Sequence, residues 1–503
     1  MTPNARPDAT PADESTPMWL LALLLALTFA FFVPAATWSP MSRFGVTRAL
    51  VEERSVQLGA WAHATGDRSR RDDAWYSDKA PLPAVMATLP YTLVRTVHRI
   101  VGRDEPAFEA RSLDGVPAVR VTLNRSAQQL LYASTLGTSG LAGVLVGLWS
   151  FVWLRRRFSS GASMLASLVI VLGSPLFPYS TSLFGHTPAA AALLGALCFG
   201  EPRAPRRRLV LSGALLALAV GCEYLTAIPA IVLGAYLALA QSEGPFDARS
   251  VLTRVGRLAL GALPLALVVG AYHHVAFGAF WSTGYSHLTN ATFTAGHARG
   301  LMGIGVPSPS ALFGLLFGTE RGLLYLAPVL AIAIVGIAWR WRSLDGSAKA
   351  GVAAFLVLLL ANAGYYMWWG GAATGPRHLV PVLPFLAPGL AVVWEARRAR
   401  LLLLVAAFVS ALNMLAFTAV GIEAPERREV LFGYAWSNLI EGRVASLSSA
   451  TNLGLMLGLP ATASLGLLWA VWVIFARWLW RSVDPATPSA SPTEPTAALD
   501  TPP

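Results

Sequence analysis

The chain has 503 residues, 55% of them hydrophobic and only 13% charged, and its mean hydropathy is +0.54. A soluble domain carries nearer a quarter charged residues, and the repeated long apolar runs here can each cross a bilayer core, so the composition excludes a soluble enzyme. The formal charge of +11 does not point to nucleic acid, because the arginines fall in short loops between apolar runs, as membrane topology requires.

Residues 1–17 read as a disordered cytoplasmic amino terminus, followed by a membrane domain over 18–480 and a disordered cytoplasmic tail over 481–503 rich in Pro, Thr, Ser and Ala. The first span runs from Met18 to Trp38. Its apolar core is longer than that of a signal peptide and no basic cluster directly precedes it, so it reads as an uncleaved span. The polar stretch 39–126 is the longest loop. Within it, Arg43 to Leu58 reads as a surface helix. Over 84–101, Val85, Leu89, Leu93 and Val97 recur every fourth residue beside Arg95, His98 and Arg99, the pattern of a helix lying in the membrane interface, with Pro90 as a kink. Between these lies Tyr76-Ser77-Asp78-Lys79-Ala80-Pro81-Leu82-Pro83. Its prolines favour extended backbone just before them, and its lysine is a compact cation suited to a phosphate oxygen. The plainer reading is a charged loop with a local ion pair.

Further spans are expected at 130–154, 163–183, 187–200, 209–222, 224–240, 257–277, 312–338, 350–367, 379–394, 401–421 and 453–476, twelve with the first. With the amino terminus inside, Arg155-Arg156-Arg157, Arg206-Arg207-Arg208, Arg340 with Arg342, Arg397-Arg398 and Arg477 with Arg481 all fall in cytoplasmic loops, as the positive-inside rule asks. Both termini are then cytoplasmic, and the long loop faces the outside of a bacterial inner membrane. The two cysteines, Cys198 and Cys222, have neither disulfide nor metal-ligand spacing. There is no internal repeat of the kind expected of an inverted-repeat transporter.

That topology gathers polar groups on the outer face: Glu52, Glu53, Asp72, Asp73, Asp78 and Lys79 from the long loop, then His186, Glu223, Tyr285, His287, His297, Glu320, Arg321, Arg377 and His378. Ionisable groups at membrane depth are usually functional, although span ends are cheaper places for them. His186 also fits an idle interfacial residue, Glu223 a carboxylate reaching water, and Arg377 a headgroup anchor. Trp368 and Trp369 suit an aromatic belt, and Gly370 and Gly371 after them would let a ligand approach the backbone. His287 and His297 read as surface residues.

The order of three segments carries a resemblance: Asp78-Lys79-Ala80-Pro81 in the long loop, Gly185-His186-Thr187 after the third span, and Tyr365 to Arg377, containing Trp368-Trp369-Gly370-Gly371 and Gly375-Pro376-Arg377. In this the chain resembles the GT-C membrane glycosyltransferases, in the branch of protein O-mannosyltransferases, aminoarabinose transferases and rhizobial galacturonosyltransferase-like proteins. The resemblance implies an all-α, GT-C-like bundle with interfacial helices on a large first outer loop. It also implies transfer of a sugar from a polyprenyl-phosphate donor to a lipid, glycan or protein acceptor at the outer face. Lys79 would meet the donor phosphate, with Arg377 as a second cation. His186, Glu223, Arg321 and His378 would line the substrate site. It implies no particular cofactor and leaves a divalent metal ion open. The place directly after the first span, where such enzymes carry a carboxylate, reads Ser39-Pro40-Met41-Ser42-Arg43, so Glu53, Glu52 or Asp78 would act as base. The competing readings are a lipid-linked sugar transporter or flippase and a non-catalytic membrane protein of envelope assembly.

Overall fold

The computed structural model describes residues 11–113, 116–200, 205–240, 247–443 and 451–483. Among the described residues six helices are long and apolar enough to cross a membrane: Arg125–Arg155, Ala248–Phe277, Gly346–Ala363, Arg377–Glu395, Arg400–Val420 and Ala461–Leu479. Pro17–Ala30, Ser160–Leu172, His186–Phe199, Tyr224–Leu239 and Val329–Trp339 are apolar but shorter. The expected twelve full spans are therefore not all present as continuous helices. The first helix already begins at Pro11, inside the stretch expected to be irregular. Residues 1–10 and most of the expected tail, 484–503, lie outside the described residues.

The missing lengths are broken by backbone chemistry. The run 312–338 divides into Pro309–Phe317, Leu323–Leu326 and Val329–Trp339, with Gly318, Gly322 and Pro328 at the breaks and proline unable to continue the hydrogen-bond ladder. The run 163–183 stops at Leu172 before Gly173-Ser174-Pro175 and restarts as Leu176–Ser180. Arg377–Leu386 is a 3₁₀ helix containing Pro381 and Pro384 that passes into Ala387–Glu395. Glu223 is extended, at φ −150° and ψ 113°, and separates Arg206–Cys222 from the next helical turn.

His186–Phe199 is buried along nearly its whole length. It is wrapped by Leu141–Arg155, Arg206–Cys222 and the 3₁₀ segment Arg377–Leu386. The buried centre of the bundle thus holds the first residues of two segments, His186 and Arg377, at one end.

The long loop is not purely helical, which corrects the all-α expectation. Helix Trp38–Arg48 starts five residues before the expected Arg43, is buried from Ser39 to Thr47, and ends in a π turn at Ala49–Glu53. An antiparallel hairpin pairs Arg68–Arg71 with Ala74–Ser77. A second joins Phe108–Leu113 to Val116–Leu123, and a two-residue pair links Phe32–Val33 to Thr451–Asn452. The interfacial helix is present as Leu82–Met86 and Thr88–Ile100. Pro90 lies in the first turn of the latter, where its missing N–H costs no ladder bond. Its polar side is turned inward, with Tyr91, Arg95 and His98 buried, while Leu89, Leu93 and Val97 are 68%, 62% and 55% exposed. An apolar stripe facing away from the protein is what a helix resting in a lipid interface presents.

Candidate active site

The site starts from the register of the first hairpin. Arg68 pairs with Ser77, so Asp67 and Asp78 leave the open end of the hairpin side by side. Lys79 follows and its ammonium sits between them, 3.1 Å from Asp67 Oδ2 and 3.3 Å from Asp78 Oδ1. The end is locked to helix Trp38–Arg48. Ser42 Oγ lies 2.7 Å from Ser77 Oγ and donates to the Asp67 carbonyl at 2.5 Å. The Lys79 amide donates to Ser77 Oγ at 3.1 Å. The proline at position 81 then stands at the start of helix Leu82–Met86.

Burial works against the Lys79 ammonium, but Asp67 and Asp78 outweigh it and hold its pKa above the ordinary lysine value. Burial pushes the Asp78 carboxyl up to about 6, with Asp67 reinforcing the shift and Lys79 opposing it. Asp78 Oδ1 accepts no hydrogen bond. Tyr285 approaches from the 278–290 loop, and burial pushes its phenol up to about 12 beside Asp78 and Lys79.

A second layer lies behind. Arg43 donates to Glu223 Oε1 at 2.7 Å, and His186 Nδ1 is 3.5 Å from the same oxygen. Gly185 allows this approach, since a β-carbon there would lie 2.1 Å from the Cys222 carbonyl oxygen. His378 faces His186 edge to face at 6.1 Å. Arg377 lies within reach of the charges of Asp67, Glu223 and Glu423, and of Lys79. Its stem lies over Gly370, where φ is +77° and an added β-carbon would stand 3.0 Å from Arg377 Cγ. Gly370, the first glycine after the tryptophan pair, therefore makes room for this arginine.

Glu423, directly after helix Arg400–Val420, supplies a further carboxylate. Burial first, and Asp67 second among the raising influences, push it up to about 7, against Arg377 and Lys79. The Thr37 hydroxyl lies beside this carboxylate, in a geometry short of a full hydrogen bond. Arg321 holds the loops on which Glu423 and Arg377 are mounted. It is 0% exposed and donates to the carbonyls of Trp369 at 3.2 Å, Gly371 at 2.8 Å, Ala424 at 3.2 Å and Pro425 at 3.2 Å. A guanidinium with its donors spent on backbone oxygens is a clamp.

Of the residues singled out in the sequence, Asp78, Lys79, His186, Glu223, Arg377 and His378 are brought together. Glu52 and Glu53 are placed elsewhere. Glu52 accepts from Tyr91, Arg95 and Arg99, and Glu53 is bound to Arg48. Asp72 and Asp73 form the exposed hairpin tip. Trp369 donates to Glu426 at 2.9 Å. His287 is hydrogen-bonded to Ser282 and His297 stacks on Tyr285 at 4.3 Å, so neither stands free at the surface.

Asp67 and Glu423 were not among the polar groups expected on the outer face, and Tyr285 was placed there without a role. Glu423 did carry a signal, being the first carboxylate after an apolar run. Asp67 is seen only through the hairpin register. Among the described residues no group of three or more His, Cys, Asp or Glu is placed to hold a metal ion.

No family model and no curated protein matches the chain. Among solved structures it is similar to ArnT from Cupriavidus metallidurans bound to undecaprenyl phosphate. The likeness covers 94% of this chain and 74% of that one, with a TM-score of 0.50 at 14% identity. The apo form of the same protein superposes over 93% of this chain and 74% of that one, with a TM-score of 0.49, also at 14% identity. The chain thus shares the fold of ArnT.

Proposed function

We propose that the chain is a membrane glycosyltransferase. It takes a sugar from a polyprenyl-phosphate donor and passes it to an envelope acceptor, whether lipid, glycan or protein, at the outer face of a bacterial inner membrane, with both termini cytoplasmic. The observation that carries the reading is Lys79, fixed between Asp67 and Asp78 and within charge range of Arg377. The fold, shared with a protein solved with undecaprenyl phosphate, supports the choice of donor.

The chemistry follows from the charges. The acceptor hydroxyl attacks the anomeric carbon and the bond from that carbon to the phosphate oxygen breaks. The bonding electrons leave with the lipid phosphate, and the sugar inverts in a single displacement. Lys79 and Arg377 stabilise the growing phosphate charge, an electrostatic effect that is often the largest single contribution to catalysis. The hydroxyl's proton needs a base whose pKa lies near neutrality. Asp78 and Glu423 meet that requirement, at about 6 and about 7. Glu52 and Glu53, bound to arginines, have no such role. Asp67 holds Lys79 in place, and His186, Glu223 and His378 line the substrate side.

The test is transfer from a polyprenyl-phosphate sugar by the purified full chain in lipid, comparing wild type with Lys79→Ala. The substitution is expected to lower the rate by about 10²–10³-fold with the protein still folded. Wild-type transfer by the folded variant contradicts the reading. Mass spectrometry of envelope lipids and glycans from a deletion strain identifies the acceptor.

A further inference from the structure

We infer that the chain carries a second, separate site for a phosphate ester, at the opposite end of the bundle from Lys79, and that its ligand is the headgroup of an anionic phospholipid of the inner leaflet. A cavity of about 470 Å³ opens where three helices end, and Arg156, Arg157, Arg340, Asp345 and Glu395 contribute to its lining. Segment Arg377–Glu395 runs from the first site to this one. Its ten 3₁₀ residues and nine α-helical residues span roughly 30 Å, about the thickness of a bilayer core.

The charges in the cavity are unequal in more than number. Both carboxylates are occupied. Asp345 caps helix Gly346–Ala363, accepting from the Ala348 amide at 3.2 Å and from Ser347 Oγ at 2.8 Å. Glu395 accepts from the Ser159 amide at 2.8 Å, at the start of another helix. Carboxylates at helix starts are already stabilised there. The guanidiniums of Arg157 and Arg340 are less satisfied. Arg157 donates to the neighbouring Arg156 carbonyl at 3.1 Å and reaches Asp345 only at 3.7 Å. Among the described residues no carboxylate pairs with Arg340, which instead lies over the Trp339 ring, its guanidinium carbon 5.6 Å from the centroid. Two guanidiniums lining one cavity offer donors suited to phosphate oxygens.

The walls say which kind of phosphate ester. Phe158, Leu344, Pro388 and Val392 line the same cavity, so the ligand has an apolar part next to its anion. Trp339 and Trp341 are exposed at the rim, at 62% and 41%, the position of interfacial tryptophans. Basic pockets between helices at a membrane surface recognise lipid headgroups by this combination.

Native mass spectrometry of the full chain in detergent tests the site, with phosphatidylglycerol and phosphatidylcholine as probes. Wild type is expected to retain phosphatidylglycerol in preference to phosphatidylcholine. R157A/R340A is expected to lose that preference by roughly tenfold or more. R157K/R340K, which keeps the charge, should hold most of the preference and so shows that loss in the alanine variant is not unfolding. Displacement of bound phosphatidylglycerol by excess glycerol 3-phosphate would keep the phosphate-ester site but assign it to a soluble ligand. Equal retention of both lipids by wild type, or undiminished phosphatidylglycerol on R157A/R340A, overturns the inference.

Discussion

Two groups of carboxylates draw on the same long loop and are held in opposite ways. Glu52 is saturated: Arg95 Nε donates to it at 2.8 Å, Arg99 at 2.5 Å and the Tyr91 hydroxyl at 3.0 Å. Arg95 also binds Glu105, whose carboxyl it holds below the ordinary range. Asp78, which is buried, and the half-buried Glu423 from a later loop receive too few donors, and both carboxyls are raised toward neutrality. The first arrangement has spent its charge on holding the interfacial helix to helix Trp38–Arg48. The second has charge and proton affinity left over. Proximity in sequence to a motif does not distinguish the two; the number of donors each carboxylate receives does.

Substitutions that neutralise each group in turn can break this contrast. Glu423→Gln and Asp78→Asn are expected to have the largest effect. The one that removes the base lowers the transfer rate by about 10²–10⁴-fold, measured with saturating donor. If neither loses more than a few-fold, the unsaturated cluster is not the base. Glu52→Gln should do the reverse, leaving transfer within about twofold while lowering stability by roughly 1–3 kcal/mol, because Arg95 and Arg99 lose a shared partner. A thermal midpoint unchanged from wild type would show that the saturated cluster is not structural. Glu53→Gln is the mildest of these. Its carboxylate is 45% exposed, and its loss should shift stability by no more than about 0.5 kcal/mol.

Acidity sharpens the same contrast. Transfer requires an ionised base, so its rate should rise with pH through the range from about 6 to about 7 set by Asp78 and Glu423. Stability runs the other way for these groups. Glu423 is raised from an ordinary 4.5 to about 7, so between those values the folded state binds more protons than the unfolded state and stability falls as pH rises. Glu423→Gln removes that penalty. Its thermal midpoint should therefore gain on wild type between pH 5 and pH 8, and a constant difference would contradict the shift.

Much of the architecture was legible, because apolar runs and arginine-bearing loops follow from the bilayer itself. The convergence of Asp78, Lys79, His186, Arg377 and His378 was legible too, since strict alternation of spans puts those loops on one face. Broken helices were harder to read. An apolar run such as 312–338 looks continuous until Gly318, Gly322 and Pro328 are seen to interrupt its ladder. Asp67 was hidden because its neighbour is set by a hairpin, in which Asp72 and Asp73 form the turn and fix the register. Arg321 looked like a ligand-binding cation, yet its donors go to four distant carbonyls that only the tertiary fold assembles.

Binding of undecaprenyl phosphate to the full chain in lipid tests the central claim most directly, compared among wild type, Lys79→Ala and Glu53→Gln. The account predicts that Glu53→Gln binds as wild type does and that Lys79→Ala loses about tenfold or more in affinity, the loss of one charge-assisted contact to phosphate. Equal affinity in all three proteins would contradict it.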